Sequence, residues 1–139
     1  MAEDTVVKEQ LTEAMIEGGS LLTEKLDEMG LPVAAAMWLF VSEINEWRLL
    51  FASPELPTGG PQAVYRRIAE ARQALEDKAA ATPMSVIGLL NPNDQLVQLF
   101  QAAFQGSAGV SRVRFSENSI DGHFIEDALI YRITPSKAA

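Results

Sequence analysis

From Val7 onward the apolar residues Leu11, Met15, Leu22, Leu26 and Met29 recur at three- and four-residue steps or their sums. That spacing places them on one stripe of a helix, which Gly30 can cap and Pro32 stops. Gly18-Gly19 interrupts the stripe at roughly 1 kcal/mol per glycine relative to alanine. A kink is one reading of the pair. The reading preferred here is that Gly18 is small so that the helix can lie close to a sheet.

Val33 to Val41 is apolar on both alternating faces, the pattern of a central strand covered on both sides. Ser42 to Glu46 reads as a hairpin loop into a second strand, Trp47 to Ala52, where Trp47, Leu49 and Phe51 share a face. Ser53 to Gly60 is dense in turn residues, and Pro61 suits the first position of a helix with the stripe Val64, Ile68, Ala71, Leu75. Pro83 to Leu90 has strand length. Asn91 is then expected as a helix cap, with Pro92 at the first position and Asp94 in the first turn. Leu96, Leu99, Phe100, Ala103 and Phe104 make the buried stripe of that helix, and Gly106 ends it.

The chain closes with Val110 to Ile120 and His123 to Ile133 around Asp121-Gly122, a two-residue hairpin signal. This turn sets Phe115 opposite Ala128, Val113 opposite Ile130 and Glu117 opposite Glu126. Val113, Phe115, Phe124, Ala128 and Ile130 are expected to form one buried face. The order is α-β-β-α-β-α-β-β, an α+β fold with one mixed five-stranded sheet and three helices on both its faces. Two right-handed crossovers are expected in the middle of the chain. A single domain over residues 1–139 is expected, fraying at 1–10 and 134–139.

Composition narrows function mainly by exclusion. The 139 residues are 47% apolar and 22% charged, as in an ordinary globular domain. A net charge of −8 opposes a phosphate backbone, so nucleic acid is not an expected partner. Leu31 to Val41 is too short to span a bilayer, and the acidic start Met1-Ala-Glu-Asp-Thr is unlike a secretory signal. No membrane association and a cytoplasmic setting are expected. There is no cysteine, and His123 is the sole histidine. Thiol chemistry and zinc motifs needing several imidazoles are thereby removed, and neither a metal nor a cofactor is expected.

Two sets of residues are candidates for a site. If the strands ending at Ala52 and Leu90 run parallel, the loops after them share one edge of the sheet. Ser53, Thr58, Gly59 and Gly60 from one loop could then meet Asn91, Asn93 and Asp94 from the other, at helix N-termini that suit a small anion or polar ligand. No Walker lysine or G-x-G-x-x-G spacing is present. The second set is Trp38, Trp47 and Arg48 beside the first hairpin, residue types common in interaction hot spots, although strand tryptophans more often pack in cores. Glu117, Glu126 and His123 could be read as metal ligands, but an exposed pair at a hairpin tip is the preferred reading. Arg112 and Arg114 share a face with Asp127, where a structural ion pair is expected.

With its acidic balance, N-terminal helix and antiparallel strands, the chain resembles bacterial type III secretion chaperones. That likeness implies a dimer binding a partner's chain. Two strands and a closing hairpin stand here where that family has three successive strands and a closing helix. The mixed sheet with flanking helices is also loosely similar to the PD-(D/E)XK nuclease core, of which Glu46-Trp47-Arg48 is a degenerate echo. The preferred expectation is a small cytoplasmic non-enzymatic protein-interaction or regulatory domain, homodimeric or binding another protein. The competing one is a small-molecule or anion-binding domain, or a minor enzyme, using the two helix N-termini.

Overall fold

The computed structural model describes residues 7–104 and 109–134. Helix α1 spans Glu13–Glu28, strand β1 Ala35–Val41 and strand β2 Glu46–Ala52. A short helix α2 (Glu55–Gly59) leads into α3 (Pro61–Leu75); β3 (Ile87–Leu90), α4 (Gln95–Ala103), β4 (Val113–Ile120) and β5 (His123–Ile133) follow. The fold is α+β with one mixed sheet of five strands in the order β3-β2-β1-β5-β4. Among the described residues no helix is long and apolar enough to cross a membrane.

The core explains the layers. Leu22 and Leu26 of α1 and Val64, Ile68 and Ala71 of α3 pack on one face of the sheet against Trp38, Trp47, Leu49, Phe51 and Tyr131. Val97 and Phe100 of α4 cover the other face over Met37, Ala52, Ala128 and Ile130. β1 is therefore central and covered on both sides, as its two apolar faces require. β2 and β3 run parallel, whereas β1 is antiparallel to both its neighbours and β4 to β5. Only the first crossover therefore joins parallel strands. α4 links the two edge strands, and β4 runs opposite to β3, which corrects the expectation of a second crossover unit.

Several local expectations are also corrected. The first helix begins at Thr12, whose hydroxyl accepts the Met15 N–H at 3.1 Å, so Val7 to Leu11 precede it as non-helical chain. Its C-terminus is as expected, with Gly30 at φ 82°. The close approach to the sheet belongs to Gly19 rather than Gly18: a Cβ on Gly19 would overlap the Tyr131 hydroxyl and lie 2.8 Å from the Trp38 Nε1. A fourth helix, the short α2, stands where the turn residues Ser53 to Gly60 predict a loop. The Pro83–Leu90 segment opens with a 3-10 turn and becomes strand only at Ile87. Asp94, not Asn91, caps α4, its carboxylate accepting the Leu96 N–H at 2.9 Å. Phe100 is buried and Leu96, Leu99 and Phe104 pack beside it as expected, while Val97 is buried in addition and Ala103 is exposed. Gly106 and the terminal residues 1–6 and 135–139 lie outside the described residues.

The closing hairpin has the expected turn, with Asp121 at φ 49° and Gly122 at φ 80°, and the expected pairs Val113–Ile130 and Phe115–Ala128. Its buried face is different. Glu117 adopts φ 45°, and the ladder passes over the Glu117–Glu126 pair. Such an irregularity reverses the alternation of side chains beyond it. Ile120 and Ile125 are therefore buried, while Phe124 is 63% exposed and Val113 38%.

Candidate functional site

Because β2 and β3 are parallel neighbours, the loops after Ala52 and Leu90 do lie at one edge of the sheet. β5 points the same way, and its carboxyl end at Thr134 joins that edge, with Thr134 N–H donating to the Ala34 carbonyl at 2.8 Å. An open groove of about 820 Å³ lies there, between this end of the sheet and α4. Ligands of open α/β sheets favour this position. Val33 and Ala34 line it alongside Pro32, Pro54 and Pro92. Its polar groups are amides and a hydroxyl: Asn93, Gln98, Gln101 and Thr134.

Of the seven loop residues predicted for this edge, only Asn93 lines the groove. Its carbonyl accepts from the Gln98 Nε2 at 2.8 Å. Ser53 is buried beneath the loop and its hydroxyl accepts the Glu55 N–H at 3.1 Å. Thr58, Gly59 and Gly60 form the end of α2 and the bend into α3, where Thr58 donates to the Glu55 carbonyl at 3.3 Å and Gly60 takes φ 86°. The Asn91 carbonyl accepts the Asp94 N–H at 2.9 Å. Asp94 places a carboxylate on the α4 N-terminus, where an anionic ligand would otherwise be drawn. Among the described residues no titratable side chain lines the groove, and the amides and hydroxyl there can hold a neutral, hydrogen-bonding group. Pro32, Gln98, Gln101 and Thr134 are not legible as a set in the sequence because they come from three separate places in the chain, the α1–β1 connection, α4 and the end of β5.

Trp38 is fully buried, its indole donating to the Met15 carbonyl at 3.1 Å and the Tyr131 hydroxyl at 3.0 Å. Burial pushes the Tyr131 hydroxyl above its ordinary range, although the Trp38 bond opposes this. Arg48 donates to the Ser85 carbonyl at 3.1 Å. Trp47 is nearly buried, and it belongs to a second cluster on the α1 side of the sheet. Arg114 grips Asp127 through two hydrogen bonds of 2.6 and 2.7 Å, and its guanidinium lies 5.4 Å from the Trp47 ring centroid. Lys8 and Ser116 also donate to Asp127, at 2.7 and 2.9 Å. Burial alone would raise the Asp127 carboxyl, but these donors outweigh it and hold it well below the usual carboxylate range. The expected ion pair thus forms with Arg114, while Arg112 turns to Glu17 at 2.8 Å.

Among the described residues no three His, Cys, Asp or Glu side chains converge as metal ligands would. His123 is exposed; its Nε2 accepts from the Gln95 amide at 3.0 Å and its Nδ1 donates to the Asp121 carbonyl at 3.1 Å. Comparison with protein-family models, with curated proteins and with solved structures finds no match to this chain.

Proposed function

We propose that this chain is a non-enzymatic protein-interaction domain that associates with a second copy of itself. The observation that carries this reading is the β4 edge. β4 is an eight-residue outer strand with no neighbour on its far side among the described residues, and Val113 and Phe124 of its hairpin expose apolar surface. A free strand edge offers a row of main-chain donors and acceptors to another chain. A cytoplasmic setting goes with this reading as the default. Sedimentation velocity of the full chain at rising concentration tests it. A dimer is expected, and Phe124→Lys should shift it to monomer without lowering the melting temperature, since that side chain is exposed. A strict monomer at high micromolar concentration would sink the proposal.

The groove at the β2 and β3 carboxyl ends supports a second reading, a site for a small neutral ligand held by amides. It rests on the uncharged lining between Pro54 and Gln101. Soaking crystals with small amides and looking for occupancy against Gln98 tests it, and an empty groove in every soak would count against it.

A further inference from the structure

The residues before α1 enter the fold as a non-helical strap whose main chain is held at three points. The Asn45 side chain clasps it from both directions, its Nδ2 donating to the Val7 carbonyl at 3.0 Å and its Oδ1 accepting the Glu9 N–H at 3.0 Å. The Trp47 indole donates to the Glu9 carbonyl at 2.9 Å. Between these contacts Lys8 brings its ammonium 2.7 Å from the Asp127 Oδ2, 4.8 Å from the Phe40 ring centroid and 5.7 Å from that of Trp47.

Aromatic faces beside a carboxylate are the chemistry that recognises an alkylammonium group. The site is built without the lysine. Arg114 and Ser116 already fix the orientation of Asp127, and Phe40 packs on Trp47 with ring centroids 5.4 Å apart. Nothing in these contacts requires the strap to come from the same chain. They engage main-chain atoms that any extended segment presents, and one side chain. A net charge of −8 favours approach of a basic segment. An open hollow of about 660 Å³ beside Glu9 and Gln10, bounded by Asn45, Arg48 and Ser85, leaves room for a longer chain than the strap.

We propose that this cleft docks an extended, lysine-bearing segment of another protein, and that Val7 to Gln10 are a resident competitor which the partner displaces. The cleft takes Arg114 and Ser116 from β4 through their side chains and not through the free main-chain edge, so the dimer and the peptide docking can fail separately. The probe is a blocked peptide of residues 7–12, with norleucine replacing lysine as its control, titrated against the full chain by fluorescence anisotropy. In wild type the tethered strap competes at high effective concentration. Lys8→Ala is therefore expected to bind the lysine peptide at least about tenfold more tightly than wild type does, and to prefer it about tenfold over the norleucine peptide. Adding Asp127→Asn should abolish that preference. If Lys8→Ala does not melt cooperatively, Lys8→Met, which keeps the aliphatic stem against the rings, carries the same readout. A folded variant that binds neither peptide at millimolar concentration, or both equally, overturns the proposal. So does a wild-type dimer that Lys8→Ala turns into monomer, because the lysine would then be exchanged between copies.

Discussion

At the scale of single residues, adjacent glycines in α1 have different consequences. A Cβ at Gly18 would meet the Thr82 methyl at 3.2 Å, a contact that a small shift relieves while the helix gains about 1 kcal/mol of propensity. At Gly19 the same atom would drive into Tyr131 and Trp38, both fully buried and hydrogen-bonded to each other. Gly18→Ala is therefore expected to change stability by less than about 1 kcal/mol, and Gly19→Ala to destabilise by about 2–3 kcal/mol. Urea midpoints of the two variants decide this, and equal midpoints would refute it. Asp127 is the other residue with a distinct signature. Its folded carboxyl titrates below the ordinary value of about 3.9, so its contribution is complete above about pH 5 and is lost as the pH falls from there. Asp127→Asn should cost about 2 kcal/mol at neutral pH. It should also lose less further stability than wild type between about pH 5 and 3. Parallel acid limbs in denaturant melts would contradict it.

At the scale of elements, the closing hairpin separates the turn from what lies around it. Gly122 sits at φ 80°, where a β-branched residue is strained by about 1–2 kcal/mol or more, so Gly122→Val should lower the melting temperature clearly. His123→Ala should stay within about 0.5 kcal/mol of wild type, because the ring is exposed and its two contacts sit at the surface. Thermal melts of both variants test the contrast. The first helix makes a related point about caps. Thr12 is followed three residues later by Met15, not by the Glu or Gln of the usual capping box, so nothing local marks the helix start and the apolar period continues back to Val7. The strap that the Trp47 cleft holds was thereby concealed within a predicted helix.

At the scale of the molecule, α1 is tied to β5 by a nearly buried charge. Arg132 is 6% exposed and bonds both Asp27 oxygens, at 2.9 and 2.6 Å, as well as the Val33 carbonyl at 3.2 Å. Removing the acid leaves the guanidinium without its counter-charge. Asp27→Ala is thus expected to destabilise by about 1–2 kcal/mol, the acid being 40% exposed, and Arg132→Met combined with it to recover part of the loss. Chemical denaturation of the single and double variants would show this, and a double variant no better than Asp27→Ala alone would argue against it. The pair links residues 105 positions apart, and no local pattern announces it.

What the sequence determined by itself follows from short-range rules. The two apolar faces of β1, the period of α3, Pro61 at its start and Asp121-Gly122 between the last strands are each legible within about ten residues. From them come the α+β class, the mixed five-stranded sheet and the shared edge of the loops after Ala52 and Leu90. Tertiary structure alone decided the rest. The groove is lined from α4, the α1–β1 connection and Thr134, and the ammonium cleft joins Lys8 to Asp127. The faces of the last hairpin turn on the left-handed backbone of Glu117, a conformation that a glutamate does not advertise. Periodicity reports which side of an element is apolar. It carries no information about which distant residue arrives there, and the groove and the ammonium cleft are both made of such arrivals.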